Sequence, residues 1–211
     1  MNTSLTNTAR LLGAGLRALL VLTLVTGVVY PLVVTGLAQG LFPGRANGSE
    51  TRADGRVVGS SLIGQQDYGL DYFQPRPAHG LGQNTLNTRY RLILSGATNL
   101  SADSEVLLRQ VQDAKAEVVR ENSVPGHPVR PSQVPADAVT SSGSGLDPDI
   151  SPAYAALQVP RVAQRNGLPV DRVEKLVRAH TEGRTLGFMG EPRVNVLELN
   201  VALRELTGRK A

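Results

Sequence analysis

The sequence contains no cysteine. That excludes disulfides, thiolate metal sites and cysteine nucleophiles together. Tryptophan is absent and aromatic residues make up only 4% of the chain. A core must therefore come from Val, Leu, Ile and Ala. His79, His127 and His180 are the only histidines. None has a metal-type partner three or four residues away, and His79 and His127 stand beside Gly or Pro. No acidic residue precedes Glu50.

What the N-terminal region does have is one uncharged apolar run from Ala18 to Phe42. Its roughly 24 residues span about 36 Å as a helix, more than a bilayer core of roughly 30 Å. Nothing later in the chain matches it, so the sequence predicts one membrane anchor and one soluble domain. A cleaved signal peptide is the competing reading. Signal peptides have shorter apolar cores and an Ala-x-Ala-like end, which Ala38-Gln39-Gly40 matches poorly. Arg10 and Arg17 precede the run and only Arg45 follows it closely, so the charge bias holds the N-terminus in the cytoplasm. The expected organisation is a cytoplasmic tail over 1–17, a transmembrane helix over 18–42 and an extracytoplasmic domain over 43–211. Pro31 should bend the helix or interrupt its hydrogen bonds. Gly27 and Gly36, with Tyr30 and Pro31 between them, form the candidate packing surface for a neighbouring helix.

The net charge of +4 is largely an anchor effect, because Arg10, Arg17 and Arg45 flank the run. Beyond them acids and bases are interspersed, which argues against a nucleic-acid partner. About 165 residues remain for the soluble part, one domain by size. Its weak core and its many Gly and Pro suit a member of an assembly better than a free-standing enzyme.

The pattern predicts an α+β domain with more helix than strand. Arg56–Gly64 and Tyr72-Phe73 read as strands, the latter closed by Pro75 and Pro77. Residues 78–100 read as loop. A helix is expected over Ala102–Arg120, capped by Ser101, with Leu107, Val111, Ala114 and Val118 on its apolar face. Pro125 to Pro135 reads as a long loop and Val139–Ser144 as a short strand. Ser151-Pro152 opens a helix that Pro160 ends or kinks. Val170–His180 and a last helix capped by Asn195 and running to Leu206 follow.

No catalytic constellation stands out. Ser142-Gly143-Ser144-Gly145 lacks the leading glycine of a nucleophile elbow, and no histidine is placed for a triad. A Ser/Gly turn is the simpler reading. The run could offer N–H groups to an anion, but it lacks the Lys-Ser/Thr ending of a P-loop. Asp147, Asp149 and Glu191 form no carboxylate pair visible in sequence. Asn47-Gly48-Ser49 and Asn99-Leu100-Ser101 match the glycosylation pattern by chance.

Longer motifs carry a resemblance. They are Gly27-Val28-Val29-Tyr30-Pro31-Leu32, Gly59-Ser60-Ser61-Leu62-Ile63-Gly64-Gln65 and Tyr72-Phe73-Gln74-Pro75-Arg76-Pro77. Ser142 to Pro152 is followed by Gln158-Val159-Pro160-Arg161, and Gly190-Glu191-Pro192-Arg193-Val194-Asn195 leads to Leu199-Asn200. Together they resemble the C subunits of bacterial Kdp-type potassium-transporting ATPases, in order from about residue 12 to 206. Ala97-Thr98 and Asn166 depart from the family pattern.

The resemblance implies an accessory, non-catalytic subunit of an ATP-driven potassium uptake pump in the bacterial inner membrane. Its implied partners are a potassium-binding channel-like subunit, a P-type ATPase subunit and a small single-helix subunit. The implied role is a catalytic chaperone that raises the ATPase subunit's affinity for ATP. It links Ser142, Gly143, Ser144, Gly145 and Gln158 to nucleotide or partner contact. No cofactor of its own is implied. Charge asymmetry places the domain on the face away from ATP, so coupling without contact is the expectation. An anchored serine hydrolase using Ser144 and a purely structural assembly factor are the alternatives.

Overall fold

The computed structural model describes residues 2–66, 68–78 and 95–208. His79 and most of the segment read as loop over 78–100 lie outside them. The chain forms two units, Met1–Ser49 and Glu50–Ala211.

The first unit is helical almost from its start. Helix α1 runs Asn2–Leu24, a π-helical turn covers Val25–Val29, α2 runs Tyr30–Leu41, and a short α3 covers Pro43–Ala46. The stretch read as a separate tail over 1–17 is thus continuous with the apolar helix. Residues Ser4–Leu41 are long and apolar enough to cross a membrane. Pro31 has no N–H to donate and sits in the first turn of α2. The wide turn ahead of it accommodates that gap, and Tyr30 N–H reaches back to Val25 O.

The second unit is α+β and helix-rich. It begins with an antiparallel hairpin, β1 (Glu50–Ala53) and β2 (Arg56–Ser60). Its turn is Asp54-Gly55, with φ of +50° and +77°. Two positive φ values define the turn geometry that Asp-Gly favours. Helix α4 covers Glu105–Asn122 and is capped by Ser104, whose side chain accepts from Leu107 N–H. The cap is not Ser101, which instead donates to Asp103. Two 3₁₀ turns, Pro131–Gln133 and Ala136–Ala138, structure the proline-rich connection. Val139–Ser144 is not a strand; β3 lies further on at Asp149–Ile150.

Helix α5 (Pro152–Asn166) has Ser151 as its cap and passes through Pro160 without ending there. Gly167, with φ +64°, terminates it. Helix α6 (Val170–Ala179) buries Val173 and Val177. Strands β4 (Thr181–Glu182) and β5 (Arg193–Asn195) complete a small antiparallel sheet in the order β3-β5-β4. Helix α7 (Val196–Thr207) starts on Asn195, whose side chain accepts from Glu198 N–H. Phe73, Val162, Val173, Val194, Leu199 and Leu203 form the centre of one core. Burial of such side chains supplies about 1.5–3 kcal/mol each.

Candidate functional site

Tyr72-Phe73 is not a strand: Tyr72 closes a turn, its N–H donating to Gly69 O at 2.9 Å, and the pair joins no ladder. Its backbone is held by side chains from α5 and α7. Asn200 accepts from Phe73 N–H at 2.9 Å and donates to Phe73 O at 3.0 Å. Gln158 accepts from Gln74 N–H at 2.7 Å and donates to Gln74 O at 3.1 Å. A single amide group supplies one acceptor and two donors' worth of hydrogen, so each mimics a strand neighbour.

Arg161, one turn past Gln158 on α5, extends the network. Its Nη2 donates to Gln158 Oε1 at 2.7 Å and its Nε to Asn122 Oδ1 at 2.9 Å. Its Nη1 donates to the carbonyls of Leu70 and Tyr72. Gln158 and Arg161 are both 0% exposed. Burial pushes the Arg161 guanidinium down to about 10, still well above neutrality. Its donors therefore remain charged, and charged donors make the stronger hydrogen bonds.

The same segment reaches the Ser/Gly loop two residues later. Arg76 Nη1 donates to Asp147 Oδ2 at 2.8 Å, and its other nitrogens donate to the carbonyls of Thr140 and Ser141 at 3.4 Å. Asp147 also accepts from Asp149 N–H at 3.0 Å. Gly64 N–H donates to Leu146 O at 2.7 Å, and Gly96 N–H to Ser144 O at 2.8 Å. The loop is thus pinned at Leu146 and at the Ser144 carbonyl, while Gly143 and Ser144 stay exposed to solvent. Gly145, at φ +68°, makes the turn.

Chemically the loop is quiet. Ser144 Oγ accepts from Leu146 N–H at 3.1 Å and lies 3.3 Å from Ser142 Oγ. Neither partner is a general base. This is a hydroxyl turn of the kind serines make with nearby backbone.

Two clefts border Arg76. One of about 640 Å³ is lined by Gln74, Arg76, Glu117, Glu121 and Tyr154, among others. Burial first, and then the neighbouring Glu117 charge, raise the Glu121 carboxyl above its ordinary value, against the pull of Arg161 and Arg120. Burial likewise raises the Tyr154 phenol. The other cleft, about 480 Å³, holds Asp137, Asp147, Asp149, Glu191, Arg76 and Arg193. Its acids are engaged: Asp147 by Arg76, Asp149 by Arg193 at 3.1 Å, and Asp137 by Ser151 N–H and Oγ. Burial raises Asp149 despite Arg193. Among the described residues no group of three His, Cys, Asp or Glu could hold a metal ion.

The predicted site residues therefore separate. Ser142 to Gly145 form a surface loop, whereas Gln158 is an interior clamp with no face toward solvent. Gln74 to Arg76 links the two. In the apolar helix, Gly27 falls in the π-helical turn, Tyr30 closes it and is 65% exposed, and Pro31 follows. A Cβ at Gly27 or Gly36 would meet nothing within 4 Å. Asn122, Arg161 and Asn200 were not singled out by chemistry. Arg161 and Asn200 fall inside the quoted motifs; Asn122 carries no signal of its own.

The chain joins one helix long and apolar enough to cross a membrane to a helix-rich α+β domain. The chain belongs to the family described as K+-transporting ATPase, c chain, whose model matches residues 12–205. It is 73% identical to the "Potassium-transporting ATPase KdpC subunit" of Streptomyces coelicolor, over 98% of this chain and 97% of that protein. The Streptomyces avermitilis protein of the same description is 66% identical, covering 98% of each. That of Mycobacterium tuberculosis is 46% identical over 90% of this chain and 96% of its own length.

Proposed function

We propose that this chain is a non-catalytic accessory subunit of an ATP-driven potassium uptake pump and raises the ATP affinity of the P-type ATPase subunit without touching the nucleotide. It works beside a potassium-binding channel-like subunit and a small single-helix subunit. The apolar helix anchors it in the bacterial inner membrane, N-terminus in the cytoplasm and domain outside. The observation that carries the indirect reading is Gln158. Its amide is fully buried and engaged by Gln74 and Arg161, so it has no surface to offer a ligand. Arg10 and Arg17 ahead of the helix support the orientation.

Coupling of this kind needs only that the domain bind two states of the pump unequally. Its reach into ATP affinity is then a linkage effect. Ser144 has no base beside it, which weighs against a hydrolase.

Two measurements test the reading. Calorimetry on the purified full chain in detergent should give no ATP isotherm; one-to-one binding would favour direct contact. The reconstituted pump should show a higher apparent KM for ATP when this chain is left out. A pump that assembles without this chain and keeps the same KM would overturn the reading; a pump that fails to assemble without it would favour a structural assembly factor.

A further inference from the structure

The cleft of about 640 Å³ beside Arg76 has the size of a small-molecule site. Glu117 and Glu121 line it from α4, four residues apart and so on one helical face. Pro75, Pro77, Ala114, Val118 and Ala138 give it an apolar side.

The polar atoms left over in this cleft are acceptors. Among the described residues Glu121 accepts no side-chain hydrogen bond, and the one cation that approaches it, Arg120, stands 4.0 Å from Oε1 and closer to Glu117, at 3.3 Å. Gln74 Nε2 donates to the carbonyls of Tyr68, Gly69 and Tyr72, which leaves its Oε1 without a donor. The guanidinium in the wall is spent, because Arg76 donates to Asp147, Thr140 and Ser141.

Tyr154 is an independent sign of a ligand. It is only 3% exposed, yet its hydroxyl has no hydrogen-bond partner among the described residues. The one fully enclosed side-chain polar atom there without a partner is Gln110 Oε1. The Tyr154 hydroxyl is therefore reached through the cleft that the residue lines. A buried tyrosine normally finds a partner, and leaving the hydroxyl without one costs stability. Both glutamates act electrostatically on this phenol, so the three groups share one neighbourhood.

A ligand for such a set brings donors and positive charge. No group of three His, Cys, Asp or Glu among the described residues could hold a metal ion. An alkylammonium fits the chemistry: it has three N–H donors, the phenol rings of Tyr68 and Tyr154 border the space for a cation, and the apolar side takes the stem. The cations nearby do not block it. Arg76 is neutralised by Asp147 at 2.8 Å, Arg161 is turned to Asn122, Gln158 and backbone carbonyls, and Arg120 is exposed to solvent.

We propose that this cleft binds a small alkylammonium ion, its N–H groups shared between the Glu121 carboxylate and the Tyr154 hydroxyl. The proposal does not rest on the accessory-subunit reading above.

Titration calorimetry on the full chain in detergent, with pentylammonium chloride as the probe, should give saturable one-to-one binding. Pentanol and potassium chloride at equal concentrations should not. Glu121→Gln should weaken binding at least about tenfold and Tyr154→Phe about threefold or more. The charges around Glu121 are Glu117, Arg161 and Arg120. Affinity should climb as pH rises through the raised Glu121 value, since only the carboxylate attracts the cation, and Glu121→Gln should remove that climb. Tyr154→Phe should keep the parent's thermal midpoint, because it gives up no hydrogen bond within the protein. Absence of saturable binding, equal binding of pentanol, or unchanged affinity in Glu121→Gln would overturn the proposal. So would preference of the site for potassium chloride, or a Tyr154→Phe variant that unfolds at lower temperature than the parent.

Discussion

Asn200 holds Phe73 by its backbone rather than its ring, with its side-chain amide bridging the N–H and the carbonyl of that one residue. Gln158 does the same to Gln74. Two helices thereby organise a segment that has no ladder to join. The chemistry of these amides is architectural.

Removing either clamp strands buried backbone groups. Asn200→Ala should destabilise the fold by about 1–3 kcal/mol for each group left without a partner. Gln158→Ala should cost at least as much, because Arg161 Nη2 also loses its acceptor. Thermal unfolding of the full chain in detergent, followed through the near-ultraviolet tyrosine signal, checks both. Midpoints equal to the parent's would refute the clamp role.

Gly64 is where the Ser/Gly loop meets the segment after β2. A Cβ there would stand 2.6 Å from Asp147 O, a backbone atom that cannot swing aside. Gly64→Ala should cost about 1–3 kcal/mol, the usual range for overpacking. It should also speed hydrogen exchange at the Gly64 amide. Gly143→Ala, with nothing within 4 Å of its Cβ, should stay within about 0.5 kcal/mol of the parent.

Glu121 gives a pH signature. Its carboxyl is raised by burial and by Glu117, so the folded state keeps its proton longer than the unfolded chain does. As pH rises through the ordinary carboxylate value of about 4.3, the unfolded state ionises first and stability falls. The fall ends once pH passes the raised folded value. Glu121→Gln should flatten that part of the stability–pH curve and raise the thermal midpoint at neutral pH. A variant whose curve kept the parent's slope would contradict this.

Because the parent has no cysteine, single introduced thiols report topology cleanly. Ser4→Cys should be shielded from an impermeant thiol reagent in intact cells. Lys175→Cys, on a side chain 72% exposed, should be labelled. Labelling of both, or a mature N-terminus near Gly40, would overturn the proposed topology.

The long apolar helix and most other helices are legible in the sequence because their signals are local. The apolar run, Ser151-Pro152, Gly167 and Asn195 each act within a turn or two of themselves. Ser104 displaced Ser101 as the α4 cap, a shift of one turn between two equally suitable residues. The Asp54-Gly55 pair carries a hairpin signal of its own, next to the apolar stretch of Arg56–Gly64. The aromatic pair Tyr72-Phe73 suggests a strand, but Tyr72 closes a turn, and Phe73 and Gln74 are held by side chains 127 and 84 residues away in sequence. No window-based pattern contains such a pairing. Gln158 was reached only through resemblance, and its burial was invisible there.

Those separations also set an order of events. The segment around Phe73 is made early in synthesis, yet the groups that satisfy its backbone arrive with α5 and, last of all, α7. Until residue 200 has been joined to the chain, the Phe73 N–H and carbonyl lack the amide that satisfies them. Helix α7 thus supplies, last in the order of synthesis, the one side chain that closes both backbone groups of Phe73.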